Sequence, residues 1–392
     1  MNDTNIQRNK EAKTMRQGAL ILSIAVGAAL ALGAPEARAQ KVLVLGCSLP
    51  LSGPEVGFGS PIREGMELAV DQFNASKHVP GAIFKLDCKD SQDQPQQTVN
   101  IAQGFVDDPA VIAALSDFST TSTMAAASTY GAAKLVDMTP TASSTMITRA
   151  NPYMFRSSET IPNYINPLAD FSVKTLGKKR IAVVHVQTDW GEGVAKTFAA
   201  RVEANGGTIV ANDAYNPGTT DFRSELTKLR RIRPDEIFLA MLEQDAALFM
   251  KQRQEFGMGG ITVVDSGVGL TARSLALAGS AFDGLWSDRL YNPNSKLTEV
   301  QAFVKAFEAK YGKAPDEWSA DGYDGAMVLM LAAKRAWPNV TRATEETQVI
   351  ATGTYIGANG PLTIDPKTHE LSRSGMTIVR VENGQIDYNP KY

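Results

Sequence analysis

The chain has 392 residues, of which 43% are hydrophobic and 21% are charged, and its formal net charge at pH 7 is -3. This is the composition of a globular protein long enough for two domains with cores of their own. The near balance of positive and negative charge gives no reason to expect a nucleic acid as partner.

Residues 1–39 have the pattern of a secretory signal peptide. Basic residues precede the apolar stretch GALILSIAVGAALALGA, and Ala37 and Ala39 form an A-x-A cleavage site. The stretch is short and rich in alanine and glycine, which favours cleavage over a membrane anchor. No cysteine follows the site, so a lipid anchor is not expected, and either Met1 or Met15 is the start. We expect cleavage after Ala39 and export of the mature chain.

Apolar strands then alternate with amphipathic helices in two consecutive runs. The first run has strands at KVLVLGCSL, AIFKLDCKD, VIAALS and KLVDMTP, and the second, after Ile161, has strands at RIAVVHV, TIVANDAY, DEIFLAML and ITVVDSG. Side chains from Ile62 to Phe73 recur at helical spacing after the first strand, and a helix in the second run is stopped by Pro234. Such alternation predicts two doubly wound α/β lobes with parallel strands.

The two cysteines, Cys47 and Cys88, lie near the ends of two predicted strands. An exported protein matures in an oxidising compartment, where a disulfide can form. A bond between adjacent parallel strands has awkward geometry, however. We therefore expect two buried free thiols, with a disulfide as the alternative.

Two loops that follow strands carry an aromatic side chain. Phe58 lies in the glycine-rich loop LSGPEVGFGS, which lacks the lysine of a phosphate-binding loop and the glycine spacing of a dinucleotide site. Trp190 lies after the first strand of the second run. Because α/β sheets of this kind bind ligands beyond the carboxyl ends of their strands, each ring either covers a ligand or packs on its own lobe.

Hydroxyl side chains are concentrated after the third and fourth strands. Five consecutive serines and threonines begin at Ser119, where a helix starts, and Thr141 and Ser143 follow the next strand. One hydroxyl is enough to cap a helix, and the positive end of a helix also binds a carboxylate. The excess of hydroxyls favours a carboxylate-binding site at this edge.

Catalytic patterns are weak. The three histidines, His78, His185 and His369, have no metal-ligand spacing, and no G-x-S-x-G motif occurs. We expect no enzymatic activity, no metal and no cofactor.

Taken together, the chain resembles the periplasmic binding proteins of the leucine/isoleucine/valine type, the receptor subunits of branched-chain amino acid ABC transporters. The matching stretches are PLSGPEVGFG, EGMELAVDQFN, DFSTTSTMAA, MTPTASS, FRSSET, RIAVVHVQTDWGEG, DFRSELTKLR and GANGPLTIDP. The resemblance implies a lobe one of residues 41–160 and 289–358 and a lobe two of residues 161–288 and 359–392. A ligand would lie in the cleft and be enclosed by hinge closure.

The resemblance also implies a set of ligand-binding residues. Carried over by position, they are Phe58, Ser119, Thr121, Thr141, Ser143 and Trp190. The Ser119 hydroxyl would hold the ligand carboxylate, with Thr120 in its place if the register of this turn shifts by one. Phe58 and Trp190 would flank the ligand.

One departure from the family bears on the ligand. Amino acid binders of this family present a lobe-two carboxylate to the ligand ammonium, and Ser266 stands at the matching position here. Asp265 and Glu243 are the nearest acids. If either reaches the cleft, the expected ligand is a hydrophobic or branched-chain amino acid. If neither does, an ammonium would be buried unpaired at a cost of several kcal/mol, and an aryl acid, keto acid or amide would fit better.

The function that the resemblance implies is a periplasmic receptor that binds a small carboxylate-bearing molecule without turnover. Its partner would be an inner-membrane ABC permease, and we expect a monomer. A ligand sensor on the same fold is the alternative, and neighbouring genes for permeases and ATPases would distinguish the two.

Overall fold

The structure is a computed structural model that describes residues 40–373 and 375–392. The predicted signal peptide, residues 1–39, lies outside the described residues. In the part of the chain that the structure describes, no helix is long and apolar enough to cross a membrane.

Strands and helices alternate as the sequence predicts. In chain order the first elements are β1 (Lys41–Leu49), α1 (Val56–Ala75), β2 (Ala82–Asp90), α2 (Pro95–Asp107), β3 (Val111–Leu115), α3 (Thr120–Ala133), β4 (Val136–Thr139), β5 (Met154–Arg156), α4 (Ile161–Asp170), β6 (Arg180–Val186), α5 (Asp189–Ala204) and β7 (Thr208–Tyr215). The later elements are α6 (Arg223–Ile232), β8 (Glu236–Ala240), α7 (Glu243–Glu255), β9 (Thr262–Asp265), α8 (Ala272–Ala278), β10 (Trp286–Arg289), α9 (Thr298–Tyr311), α10 (Glu317–Ala336), α11 (Arg342–Ile350), β11 (Thr354–Gly357), β12 (Gly360–Ile364), β13 (Leu371–Arg373), β14 (Thr377–Glu382) and β15 (Gln385–Asp387).

Two α/β lobes are built on separate sheets, which confirms the predicted fold class. The first sheet has the strand order β2-β1-β3-β4-β5, and the second has the order β15-β14-β10-β9-β8-β6-β7. In the first sheet β1 pairs in parallel with β3, β3 with β4 and β4 with β5. In the second sheet the strands from β6 to β10 pair in parallel, and β14 joins β10 antiparallel. Both lobes therefore have the parallel sheet that their alternating sequence requires.

Both faces of each sheet are covered by helices. In β6, Ala182 and Val184 pack with α6 and α7, whereas Ile181 and Val183 pack with α4 and α5. A strand buried on both faces needs apolar residues at successive positions, which explains the uninterrupted apolar run of β6. In the first lobe, one face packs against α1 and α10 and the other against α2 and α3.

After β10 the chain returns to the first lobe. Helix α10 packs along α1, and the small sheet β11–β12–β13 contributes Leu362, Ile364 and Leu371 to the core of that lobe. The chain then enters the second sheet with β14. We therefore propose that lobe one extends to about residue 373, beyond the boundary at 358 that the sequence suggests.

A disulfide joins Cys47 of β1 to Cys88 of β2. The two strands are neighbours in the first sheet, and the two Cα atoms are 4.2 Å apart. The expectation of two free thiols was wrong. It assumed that neighbouring parallel strands hold two cysteines in unsuitable geometry for a disulfide, whereas these two strands bring the side chains of Cys47 and Cys88 together.

Two carboxyl groups are fully buried in the sheets: Asp137 in β4 and Glu236 in β8. Burial raises the pKa of each carboxyl to about 8. The Ser116 hydroxyl lowers the pKa of Asp137 and the Ser172 hydroxyl lowers that of Glu236, but the effect of burial is larger in both cases. A carboxyl with a raised pKa is more protonated in the folded than in the unfolded chain. Its contribution to stability is therefore complete below its ordinary pKa and is lost as the pH rises through about 8.

We expect the free energy of unfolding to increase when the pH is lowered from about 8 to about 6. Each of these carboxyls should contribute on the order of 2 kcal/mol to the increase, and urea unfolding at the two pH values measures it. The Asp137→Asn variant should show a smaller pH dependence than the parent protein, because an amide does not titrate. Equal stability of the parent protein at both pH values would contradict the assignment.

Candidate ligand-binding site

The carboxyl ends of the parallel strands of both sheets face one cavity of about 360 Å³. The loop after each of these strands contributes lining residues, among them Glu55, Asp93, Phe118, Thr141, Ser158, Trp190, Pro217, Leu242, Ser266 and Leu290. Ligands of open α/β sheets bind at this edge, and the volume is that of a small-molecule site. The cavity between the lobes is therefore the candidate site.

Most of the ligand residues predicted from the sequence line this cavity. They are Ser119, Thr120, Thr121, Thr141, Ser143, Trp190 and Ser266. The other three, Phe58, Glu243 and Asp265, do not line it and are almost completely buried.

Phe58 lies one layer behind the cavity wall. Its ring stacks on Phe118 with the centroids 4.3 Å apart and meets Trp318 edge-on at 5.1 Å. Phe118 and Trp318 line the cavity themselves. The prediction of Phe58 as a wall residue is corrected: the loop residues from Val56 already form the first turn of α1, which turns Phe58 into the core.

The Ser119 hydroxyl is used within the protein. It caps α3 by accepting a hydrogen bond from the Ser122 N–H at 3.2 Å, and it donates its own hydrogen to the Asp93 carboxylate. The Ser122 hydroxyl donates to the same carboxylate at 2.7 Å. Asp93 thus accepts both hydroxyl hydrogens, and burial raises the pKa of its carboxyl group. Ser119 has no further hydrogen to donate to a ligand.

Two other predicted hydroxyls also have partners. Thr141 donates to the Phe118 carbonyl at 3.0 Å, and Thr121 donates to the Asp189 carboxylate at 2.9 Å. The second bond joins α3 of the first lobe to α5 of the second. The Thr121 side chain therefore links the lobes across the cavity edge.

Four buried side-chain atoms of residues that line the cavity have no hydrogen-bond partner among the described residues. They are the hydroxyl oxygens of Thr120, Ser158 and Ser266 and the Oδ1 atom of Asp288. None of the four residues is more than 4% exposed. A buried polar atom without a partner costs about 1–3 kcal/mol, and a ligand in the cavity can supply the missing bond. The first lobe contributes Thr120 and Ser158, and the second contributes Ser266 and Asp288.

A hydrogen-bonded chain fixes Trp190 in the wall. Its Nε1 donates to the Tyr164 hydroxyl at 3.0 Å, and that hydroxyl lies 3.1 Å from the hydroxyl of Ser143. Burial raises the pKa of Tyr164, so the phenol stays neutral. The sequence analysis missed Tyr164, whose only signal was its place just after the FRSSET stretch.

Glu243 and Asp265 do not reach the cavity. Glu243 accepts a hydrogen bond from the Thr271 hydroxyl at 2.6 Å and lies 3.2 Å from the Arg273 guanidinium. Asp265 accepts from the Gly267 N–H at 2.9 Å. Side chains of successive strand residues point in opposite directions, so Asp265 points away because Ser266 faces the cavity. The prediction that one of these acids meets the ligand is therefore corrected.

Other acids do face the cavity. They are Glu55, Asp93, Glu159, Asp288, Glu317 and Asp321, and no Lys, Arg or His is among the described residues that line it. Burial, with the nearby charges of Asp93 and other acids, raises the pKa of Glu55 to about 8. The pKa of Asp288 is raised well above its usual range, first by burial and then by the charge of Glu317. The cavity thus favours a ligand that brings a positive charge.

Comparison with known proteins gives consistent results. The family model described as "Periplasmic binding protein" matches residues 42–385. A Leu/Ile/Val-binding protein homolog of Brucella melitensis is 25% identical over 354 residues, which cover 88% of this chain and 92% of the relative.

Solved structures are similar over nearly the whole described chain. A putative branched-chain amino acid ABC transporter protein of Rhodospirillum rubrum is 32% identical, with a TM-score of 0.68 over 89% of this chain and 100% of the other. A solute-binding protein of Rhodopseudomonas palustris in complex with 3,4-dihydroxybenzoic acid is 24% identical, with a TM-score of 0.80 over 88% and 95% of the two chains. The second similarity shows the fold alone.

Proposed function

The chain belongs to the periplasmic binding protein family, and from this membership we propose that it is the substrate-binding receptor of an ABC importer. Its ligand is a hydrophobic amino acid, held in the cavity between the lobes. In this role it acts in the periplasm as a monomer, delivers the ligand to an inner-membrane permease and performs no chemistry on it.

The observation that carries the ligand assignment is the Thr120 hydroxyl. Thr120 begins α3, is 4% exposed and lines the cavity, and its hydroxyl has no hydrogen-bond partner among the described residues. The first N–H groups of a helix also lack intrahelical partners, and the positive helix end attracts anions. We infer that the ligand carboxylate lies at Thr120, one residue beyond Ser119.

The aromatic side chains of the wall support an apolar ligand side chain. Phe118 and Trp318 present their rings from the first lobe, while Trp190 and Leu242 lie on the second. Such faces suit a branched or flat apolar group. An aryl acid is the second candidate, because the aromatic faces of the wall also suit a flat ring.

We expect Thr120→Val to weaken ligand binding by about ten- to a hundredfold, because valine keeps the shape of threonine but cannot donate to a carboxylate. Isothermal titration calorimetry with the apolar amino acid that binds tightest to the parent protein measures the change. Ser119→Ala is the matched control, with an expected change of less than about threefold, since its hydroxyl serves Asp93. Unaltered affinity in Thr120→Val would refute the carboxylate assignment.

The ligand itself is found by a thermal-shift screen of the mature chain against apolar amino acids, their keto acids, aryl acids and amides. Stabilisation by an apolar amino acid supports the main proposal. Stabilisation by aryl acids alone would replace it with the second candidate. Stabilisation by none of these compounds would contradict both.

A further inference from the structure

We propose that Asp288 binds an ammonium group of the ligand and so selects amino acids over acids that lack an amine; this rests on the proposed receptor function. Asp288 lies on β10, whereas the acids that the sequence singles out lie elsewhere: Asp265 ends β9 and Glu243 begins α7. This role of Asp288 also defines the ligand as a zwitterion, with a carboxylate at the first lobe and an ammonium at the second.

The position of Asp288 places its carboxylate in the cavity wall. It is the third residue of β10 and only 3% exposed, and it lines the cavity. Strands β9 and β10 pair in parallel with Trp286 opposite Val264, and the same register continued by two residues brings Asp288 beside Ser266. The unpartnered Oδ1 of Asp288 and the unpartnered hydroxyl of Ser266 therefore occupy neighbouring places in the second lobe.

The loop after β9 leaves room for this carboxylate. Gly267 has a φ of +90°, and a Cβ built on it would lie 2.9 Å from the Asp288 Oδ1. A larger residue would be strained by the backbone angle and would also press on the carboxylate. Glycine at this position therefore keeps the space beside the Oδ1 atom free of a side chain.

The neighbouring arginine, Arg289, donates its hydrogen bonds to backbone carbonyls. Arg289 donates to the carbonyls of Gly267 at 3.0 Å and of Asp288 itself at 2.7 Å, and it also donates to the Leu270 carbonyl. None of these bonds reaches the Asp288 carboxylate. The guanidinium therefore fixes the loop and leaves the Oδ1 atom of Asp288 to another donor.

A second carboxylate strengthens the demand for a cation. Glu317 begins α10 and lines the cavity, and its charge raises the pKa of Asp288 beyond the effect of burial. The charge of Arg289 opposes this effect. No Lys, Arg or His is among the described residues that line the cavity, however, so a positive charge inside the cavity has to come from the ligand. An ammonium beside two carboxylates relieves their mutual repulsion.

The two ends of the ligand follow from this placement. Thr120 comes from the first lobe and Asp288 from the second, so a molecule with both charges is bound by both lobes. An acid without an amine would meet Thr120 but leave the Asp288 oxygen unpaired. A site built to pair a polar group of its ligand strongly rejects analogues that lack this group.

The test uses the mature chain and matched probes. The probes are L-leucine, L-isoleucine, L-valine and L-phenylalanine, each compared by calorimetry with its 2-keto acid. In the parent protein at least one amino acid should bind about a hundredfold more tightly than its keto acid. In Asp288→Asn the affinity for that amino acid should fall about a hundredfold, while the keto acid should bind as well as before or better.

The controls separate the possible failures. Asp265→Asn and Glu243→Gln should change the amino acid affinity by less than about threefold, and retained keto acid binding shows that Asp288→Asn is folded. If the parent protein prefers the keto acid, or if Asp288→Asn binds the amino acid as tightly as the parent, the receptor assignment stands and the role of Asp288 is overturned. If the parent binds none of the eight probes, the proposed amino acid receptor is overturned and the Asp288 site with it.

Discussion

Replacing Gly322 with alanine is expected to destabilise the protein by about 3 kcal/mol or more, because the new methyl group would collide with the neighbouring helix. Gly322 lies in α10, and a Cβ there would come within 2.2 Å of the Ile62 carbonyl oxygen of α1. Gly65 of α1 is the reciprocal contact, where a Cβ would come within 1.9 Å of the Ser319 carbonyl oxygen. Neither backbone oxygen can move aside unless the helices separate.

Urea unfolding of Gly322→Ala and Gly65→Ala measures the effect, and both should lose stability. Gly104→Ala is the control, because Gly104 is exposed in α2 and a Cβ there meets nothing within 4 Å. That substitution should stabilise the protein by about 0.5–1 kcal/mol through helix propensity alone. If the Gly322 and Gly65 variants were as stable as the Gly104 variant, the close helix contact would not exist.

The helix contact also bears on the site. The first turns of α10 carry Glu317, Trp318 and Asp321, which line the cavity. Their positions depend on how closely α10 packs against α1. A variant that separates the helices should therefore lose ligand affinity along with stability.

Removing the disulfide by the double substitution Cys47→Ala and Cys88→Ala is expected to cost about 2–4 kcal/mol. The two residues are 41 positions apart, and a crosslink over a loop of this length restricts the unfolded chain substantially. The midpoint of urea unfolding measures the loss.

The parent protein under reducing conditions should approach the stability of the double variant, and reductant should leave the double variant unchanged. This comparison separates the crosslink from the smaller side chains. Identical midpoints for the oxidised parent and the double variant would show that the disulfide contributes nothing.

The fold was predictable because its strands are buried on both faces. The apolar runs of β6 and β8 and the helices between them leave little choice but a doubly wound sheet. The same pattern placed the loops after the strands at one edge of each sheet, which is why the predicted residues Thr120, Ser143 and Trp190 line the cavity. Secondary structure and loop position both follow from local sequence.

Side-chain direction was not predictable from local sequence. Phe58 turns inward because α1 begins earlier than the loop composition indicates, and Asp265 turns away because its neighbour Ser266 takes the cavity side. The Cys47–Cys88 bond depends on how two strands pair, which a single sequence does not state. In each case the outcome depends on where an element begins or how two strands pair, which the composition of a short stretch does not determine.

Asp288 and Tyr164 were missed for a related reason. Asp288 lies in the four-residue strand WSDR, which has no apolar run that would indicate a strand. Tyr164 lies in a helix whose inner face is otherwise apolar. Only the packed structure brings both beside the cavity. A buried polar residue beside a cavity indicates a ligand contact only when the structure shows which hydrogen-bond partners it has.

The aromatic side chains of the cavity wall should also make ligand binding visible in the intrinsic tryptophan fluorescence. Two of the four tryptophans, Trp190 and Trp318, face the cavity from opposite lobes, whereas Trp286 packs against Phe171 and Tyr392 away from it. Indole emission responds to the polarity and the charges around the ring, so a ligand that displaces solvent from these faces changes the emission directly. A titration can thus be followed without a label, and single Trp→Phe variants at the two positions separate the signal of one lobe from that of the other.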